Sequence, residues 1–122
     1  MPKRSNLFQK VMTHIYGQMV PIGAQVIESA MVQERQTGQE REVDILIVQQ
    51  VEGNEFRTGV EVRGRTAVDD VTWIDCMIGK YIDLSIHRKV AVSRSGFSKG
   101  ARAKAAVYGI ETKTLQQVLT TD

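Results

Sequence analysis

The chain is poor in cysteine, proline and aromatic residues: one cysteine, two prolines and 6% aromatics in 122 residues. A single thiol, Cys76, excludes an internal disulfide or a thiolate metal cluster, and it sets the expectation of a reducing, intracellular setting. No stretch approaches the ~18 consecutive apolar residues of a membrane span. The basic start, MPKRSNLFQK, has no apolar run behind it, so a secretory signal is not expected. Internal repeats and low-complexity runs are missing as well. What is present is ordinary for a globular protein: 42% apolar and 25% charged residues. That mixture excludes a disordered or collagen-like chain and predicts one domain over 1–122.

Acid is missing from two segments. Residues 1–10 hold Lys3, Arg4 and Lys10 with no acid, and residues 88–104 hold Arg88, Lys89, Arg94, Lys99, Arg102 and Lys104 with none. Between them, residues 11–87 carry twelve acids against six bases. A carboxylate-rich middle followed by a basic segment suits a cation held beside a polyanion, which points toward nucleic acid. A solvated basic helix face is the competing reading of the same run.

Hydrophobic periodicity supplies the elements. Leu7, Val11, Ile15 and Met19 recur at helical spacing, with Phe8 and Met12 beside them, and Ser5 or Asn6 can cap the start. Gln25 to Val32 alternates as a strand with Val26, Glu28, Ala30 and Val32 on one face. A polar loop, Glu34 to Arg41, leads to a second strand, Glu42 to Gln49. There Val43, Ile45 and Ile47 share one face, and Asp44, Leu46 and Val48 the other. After a turn at Glu52-Gly53-Asn54, a third strand runs from about Phe56 to Arg63. Asp69 or Asp70 can cap a second helix with Val71, Ile74, Ile78 and Ile82 as its buried stripe. Val90-Ala91-Val92 forms the next strand. Ser98 caps a third helix reaching Tyr108, Gly109 fits a left-handed helix end, and Ile110 to Leu115 makes a last strand. The order is α-β-β-β-α-β-α-β, an α/β class with an antiparallel part followed by two right-handed crossovers.

Chemistry concentrates at Asp44 and Glu61-Val62-Arg63. Glu61 and Arg63 lie two apart on a strand and project side by side. Asp44 sits in the neighbouring hairpin strand among apolar residues, and a buried carboxylate needs a partner or an ion. Hard divalent cations such as Mg²⁺ take carboxylate oxygens and water, so two acids and a base could set a metal-activated water beside a phosphate. A buried salt bridge of Arg63 with Asp44 or Glu61 is the plainer alternative. Glu28 is an accessory carboxylate candidate, with a solvated edge position competing. His14 and His87 lack ligand spacing. Cys76 is expected to be a packed thiol, and Trp73 and Tyr81 to be core or interface residues.

Val43-Asp44-Ile45-Leu46-Ile47 with Gly59-Val60-Glu61-Val62-Arg63 resembles the metal-binding core of the PD-(D/E)XK nuclease superfamily. Within it, Glu34 to Gln39, Asp70 to Ile74, Ile78-Gly79-Lys80 and Val92 to Ala101 are similar to the Mrr-like restriction endonuclease catalytic domain. The similarity covers about residues 5–115. It implies a restriction-endonuclease-like αβββαβ core, a mixed central sheet flanked by helices, and metal-dependent cleavage of DNA. By the same resemblance, Asp44 and Glu61 would bind Mg²⁺ (or Mn²⁺) with the Val62 carbonyl. Arg63 would stand in the place of the catalytic lysine, and Gln9 in that of an accessory glutamate. Ser95 and Lys99, with Arg65, Arg94 and Arg102, would contact the DNA backbone, and a homodimer would allow both strands to be cut. Two positions depart from the family pattern. Arginine stays protonated, so Arg63 cannot act as a base, although it can orient water or stabilise charge. Gln9 removes an acid. A module that only binds DNA or a protein is the alternative these departures leave open.

Overall fold

The structure, a computed structural model, describes residues 6–120. Lys3, Arg4 and the alternative cap Ser5 lie outside the described residues. The elements are α1 (Leu7–Met19), β1 (Gln25–Gln33), β2 (Glu40–Val51), β3 (Asn54–Arg63), α2 (Val71–Tyr81), β4 (Arg88–Ser93), α3 (Lys99–Val107), β5 (Ile110–Thr114) and α4 (Leu115–Leu119). The expected order holds, with the strand after Gly109 one residue shorter and a short helix behind it.

Strand order in the sheet follows chain order, β1-β2-β3-β4-β5. The first three strands pair antiparallel; β3–β4 and β4–β5 pair parallel. Parallel neighbours need a crossover, and α2 and α3 provide the two. The β2–β3 hairpin closes with both Glu52 and Gly53 at positive φ, 52° and 80°, the backbone of a tight turn whose twist matches the strands. Asn6, Asp70 and Ser98 each cap a helix through a side-chain oxygen, so Asp70 rather than Asp69 starts α2.

The sheet is covered on both faces. Under α2 and α3 lie Val32, Val43, Leu46, Trp73, Ile74, Met77, Tyr81, Ala101 and Ala105. Under α1 and α4 lie Met12, Ile45, Ile47, Val60, Val62, Val90, Val92 and Val118. Burial on both faces explains why β2 and β4 read as nearly continuous apolar runs.

Three expectations about faces are corrected. Helix α1 buries Gln9 and Met12 with Phe8, Ile15 and Tyr16 around them, while Leu7, Val11 and Met19 stay exposed. In α2 the buried line is Trp73-Ile74-Met77-Tyr81. Ile82 is exposed because it is already the cap beyond the last turn, and Cys76 is exposed rather than packed. Finally, the alternation in the first hairpin breaks. Val26 packs with Ile45 and Ile47 under α1, whereas Ala30, Val32 and Val43 pack under α2. Ser29 marks the break in β1, where it holds φ 53° in mid-strand, and in β2 the break falls opposite it, between Val43 and Ile45. Pairing of β1 with β2 skips this residue, going from Glu28↔Ile45 to Ala30↔Val43.

Candidate active site

The residue opposite Ser29 in this register is Asp44. On its other side, β2 pairs with β3 from Val51↔Asn54 as far as Ile45↔Val60. The next two residues along, Asp44 and Glu61, join the strands through side chains. The Val62 N–H donates to Asp44 Oδ2 at 3.0 Å, and the Asp44 N–H donates to Glu61 Oε2 at 3.2 Å. Each carboxylate takes a backbone donor that the ladder would otherwise use. Both residues are buried, Asp44 at 3% and Glu61 at 6% exposure.

Three further donors converge here. Tyr81 Oη donates to Glu61 Oε2 at 2.8 Å and Lys80 Nζ to Glu61 Oε1 at 3.0 Å. Gln9 Nε2 donates to the Asp44 carbonyl at 3.1 Å and to Ser29 Oγ at 3.0 Å. Gln9 is fully buried, and its Oε1 accepts no hydrogen bond among the described residues. Gly59 makes room for this cluster, since a Cβ there would lie 2.6 Å from the Tyr81 ring. Burial raises the Glu61 carboxyl above its ordinary value, and the Asp44 charge adds to the rise against the pull of Lys80 and Tyr81. Burial and the neighbouring Glu61 push the Tyr81 phenol far up, so it remains a donor.

Arg63 leaves this cluster. Its guanidinium pairs with Asp69 at 3.2 Å and lies 5.1 Å from the centre of the Trp73 ring. The alternative salt bridge with Asp44 or Glu61 is therefore replaced by one to Asp69, which the sequence offered only as a helix cap. Asp69 is buried, and its Oδ2 accepts from Ser93 Oγ at 2.5 Å. Its backbone ties the loop after β3 to the loop after β4 through Gly96 and Ser98. Ser95 Oγ donates to the Arg65 carbonyl at 2.5 Å, and the Arg94 N–H to the Arg63 carbonyl at 2.9 Å. Arg63, Arg65, Arg94 and Ser95 thus share one rim, with Lys99 exposed at the start of α3. Arg102 reaches the Phe97 carbonyl at 3.5 Å. The basic run is partly engaged elsewhere: Arg88 pairs with Glu111 and Lys104 with Asp75.

Glu28 is half-buried on β1. Among the described residues, no three His, Cys, Asp or Glu side chains form a metal-holding group, so Glu28 does not complete one with Asp44 and Glu61. His87 accepts from the Arg57 N–H and stacks on Phe56. Sequence reasoning did not assign Lys80, Tyr81 or Asp69 to the site: Tyr81 was expected in the core or at an interface, Asp69 as a cap, and Lys80 only within the resembling segment. For Asp69 a signal existed: of two adjacent aspartates only one can cap, and the other needs a different partner. The requirement that a buried tyrosine hydroxyl be bonded was the signal for Tyr81.

The fold itself has known counterparts. A protein of unknown function, AF1548, matches with a TM-score of 0.71 and 16% identity, over 89% of this chain and 58% of that one. The DNA modification-dependent restriction endonuclease AspBHI matches with a TM-score of 0.63 and 12% identity, over 92% and 29%. The MspJI restriction endonuclease, solved in complex with a 27-mer oligonucleotide, gives 0.52 and 14%, over 91% and 26%. This is a restriction-endonuclease-like fold. The chain spans less than two thirds of each of these three proteins. No family model matches the sequence, and no curated protein matches it. Within the restriction-endonuclease-like fold, the Asp44–Glu61 contact lies where the β2–β3 hairpin leaves its ladder. The rim of Arg63, Arg65 and Arg94 follows the ends of two parallel strands, where open α/β sheets commonly place ligands. No helix among the described residues is long and apolar enough to cross a membrane.

Proposed function

We propose that this chain is a metal-dependent DNA endonuclease domain of the PD-(D/E)XK type, akin to Mrr-like catalytic domains. The observation that carries the proposal is the paired placement of two buried carboxylates, Asp44 and Glu61, at the point where β2 and β3 stop pairing. Their donor set suits a hard divalent ion, and the upward shift of Glu61 under the Asp44 charge is a strain that a cation would relieve. Asp44, Glu61 and the Val62 carbonyl would hold Mg²⁺ or Mn²⁺. The ion, when bound, supplies an activated water and neutralises phosphate charge.

The chain's own residues do the rest. Gln9, bonded to the Asp44 carbonyl and to Ser29 Oγ, fixes Asp44 from behind. Tyr81 and Lys80 fix Glu61. Arg63, held by Asp69, keeps a permanent positive charge at the rim and exchanges no proton at neutral pH. Arg65, Arg94, Ser95, Lys99 and Arg102 bind backbone phosphates without reading bases. Cutting both strands calls for two copies, and a homodimer is part of the proposal.

The test is incubation of the chain with supercoiled plasmid in Mg²⁺, in Mn²⁺ and in chelator, beside Asp44→Ala. Nicking that needs metal and disappears in the variant is the expected result. A specific observation favours a second reading, a DNA-binding module without cleavage: every oxygen of Glu61 already meets a protein donor. Retention of the plasmid without any cutting would select that reading.

A further inference from the structure

The residue two positions after Glu61 is Arg63, and it is committed to Asp69 and Trp73. The ammonium that does reach Glu61 comes from another element. Lys80, in the last turn of α2, sets Nζ 3.0 Å from Glu61 Oε1, with its side chain 17% exposed and that of Glu61 8% exposed. Sequestering a lysine and a glutamate together carries a large desolvation cost. Helix packing alone does not require it, because Tyr81 from the same helix turn already bonds Glu61 and fills the space over Gly59. Lys80 also retains a path to solvent, whereas Tyr81 is 2% exposed.

We propose that Lys80 is a further residue of the cleavage site. Its ammonium is the fixed charge beside the carboxylate pair that Arg63 does not supply, and it faces the phosphate during hydrolysis. This inference rests on the nuclease reading above. In the step itself, the water oxygen bonds to phosphorus while the bond from phosphorus to the leaving sugar oxygen breaks. One proton of the water passes to solvent, the other stays on the new phosphate, and the leaving oxygen takes a proton from solvent. Lys80 keeps its protons throughout and contributes charge alone. Removing one such preorganised charge slows a reaction by roughly 100-fold or more.

The experiment compares the wild-type chain with Lys80→Ala, Lys80→Arg and Arg63→Lys in single-turnover plasmid nicking with Mn²⁺, alongside DNA affinity measured in Ca²⁺. Lys80→Ala is expected to lose about 100-fold in rate with affinity within about twofold of wild type. Lys80→Arg, which keeps the charge, is expected to recover part of the rate. Arg63→Lys is expected to gain nothing. Wild-type cutting by Lys80→Ala, or faster cutting by Arg63→Lys, would overturn the assignment. A readout without turnover is the NMR signal of the Lys80 ammonium during Mg²⁺ titration. Shifts at the Asp44 and Glu61 amides together with Lys80 support the proposal. Amide shifts with an unmoved Lys80 signal refute the lysine's role alone, and the absence of any shift refutes the metal reading and the lysine's role together.

Discussion

Arg63 and Asp69 form a pair of unequal exposure: the guanidinium is 38% exposed while the carboxylate is fully buried, with 3.2 Å between Nη1 and Oδ1. The buried partner also holds Ser93 and, through its backbone, Gly96 and Ser98. Asp69 is thus the junction that fixes the two loops at the basic rim.

Removing that junction should cost stability. Asp69→Ala strands the Ser93 hydroxyl and leaves Arg63 without its counter-charge, with an expected loss of about 2–4 kcal/mol. Urea unfolding of the two proteins measures it. A loss below about 0.5 kcal/mol would mean that the loops hold together without the carboxylate.

Two glycines should respond in opposite directions. Gly59 lies under Tyr81, where an added Cβ would sit 2.6 Å from the ring, whereas Gly79 in α2 has open space around it. Gly59→Ala is expected to destabilise by roughly 1–3 kcal/mol through overpacking. Gly79→Ala should stabilise by about 0.5–1 kcal/mol by lowering the freedom of the unfolded chain. Thermal melts of both variants give the comparison, and equal signs would contradict it.

Glu61 gives stability a pH dependence. Burial, reinforced by Asp44, raises its folded-state carboxyl above the ordinary 4.5. The folded chain therefore keeps a proton that the unfolded chain has already released. This contribution is fully present below 4.5 and is lost as pH rises through the raised value. Denaturation free energies at stepped pH should decline over that window in the wild type and stay flatter in Glu61→Gln. Parallel curves would show that Glu61 does not titrate abnormally.

The basic rim should produce a salt-sensitive, sequence-blind affinity for duplex DNA. Arg65→Ala with Arg94→Ala is expected to weaken binding equally on unrelated sequences. It should also reduce the slope of log affinity against log salt by about 0.9 for each phosphate that the variant no longer neutralises. Fluorescence anisotropy at several salt concentrations reads both quantities. An unchanged slope would place the DNA on another surface.

Much of this molecule was legible in one dimension. Strand alternation placed Val60 and Val62 opposite Glu61 and Arg63, and hairpin spacing put Asp44 beside Glu61. Caps at Asn6, Asp70 and Ser98 followed from local hydrogen-bonding chemistry. What escaped depended on how helices dock. Whether Lys80 or Arg63 meets Glu61 is set by the rotation of α2 over the sheet, which Trp73 and Tyr81 decide by filling it from the side where Val71 and Ile82 were expected. The reversal at Ser29 escaped as well, because no glycine or proline marks it.

That reversal binds the two apolar layers into one mechanical unit. The ribbon of β1 and β2 presents Val43 to one layer and Ile45 to the other, only two positions apart. A volume change at either residue is transmitted through Asp44, which sits between them. Redesigning one side of this protein in isolation will therefore disturb the geometry of its acidic centre, even with substitutions that never touch a carboxylate.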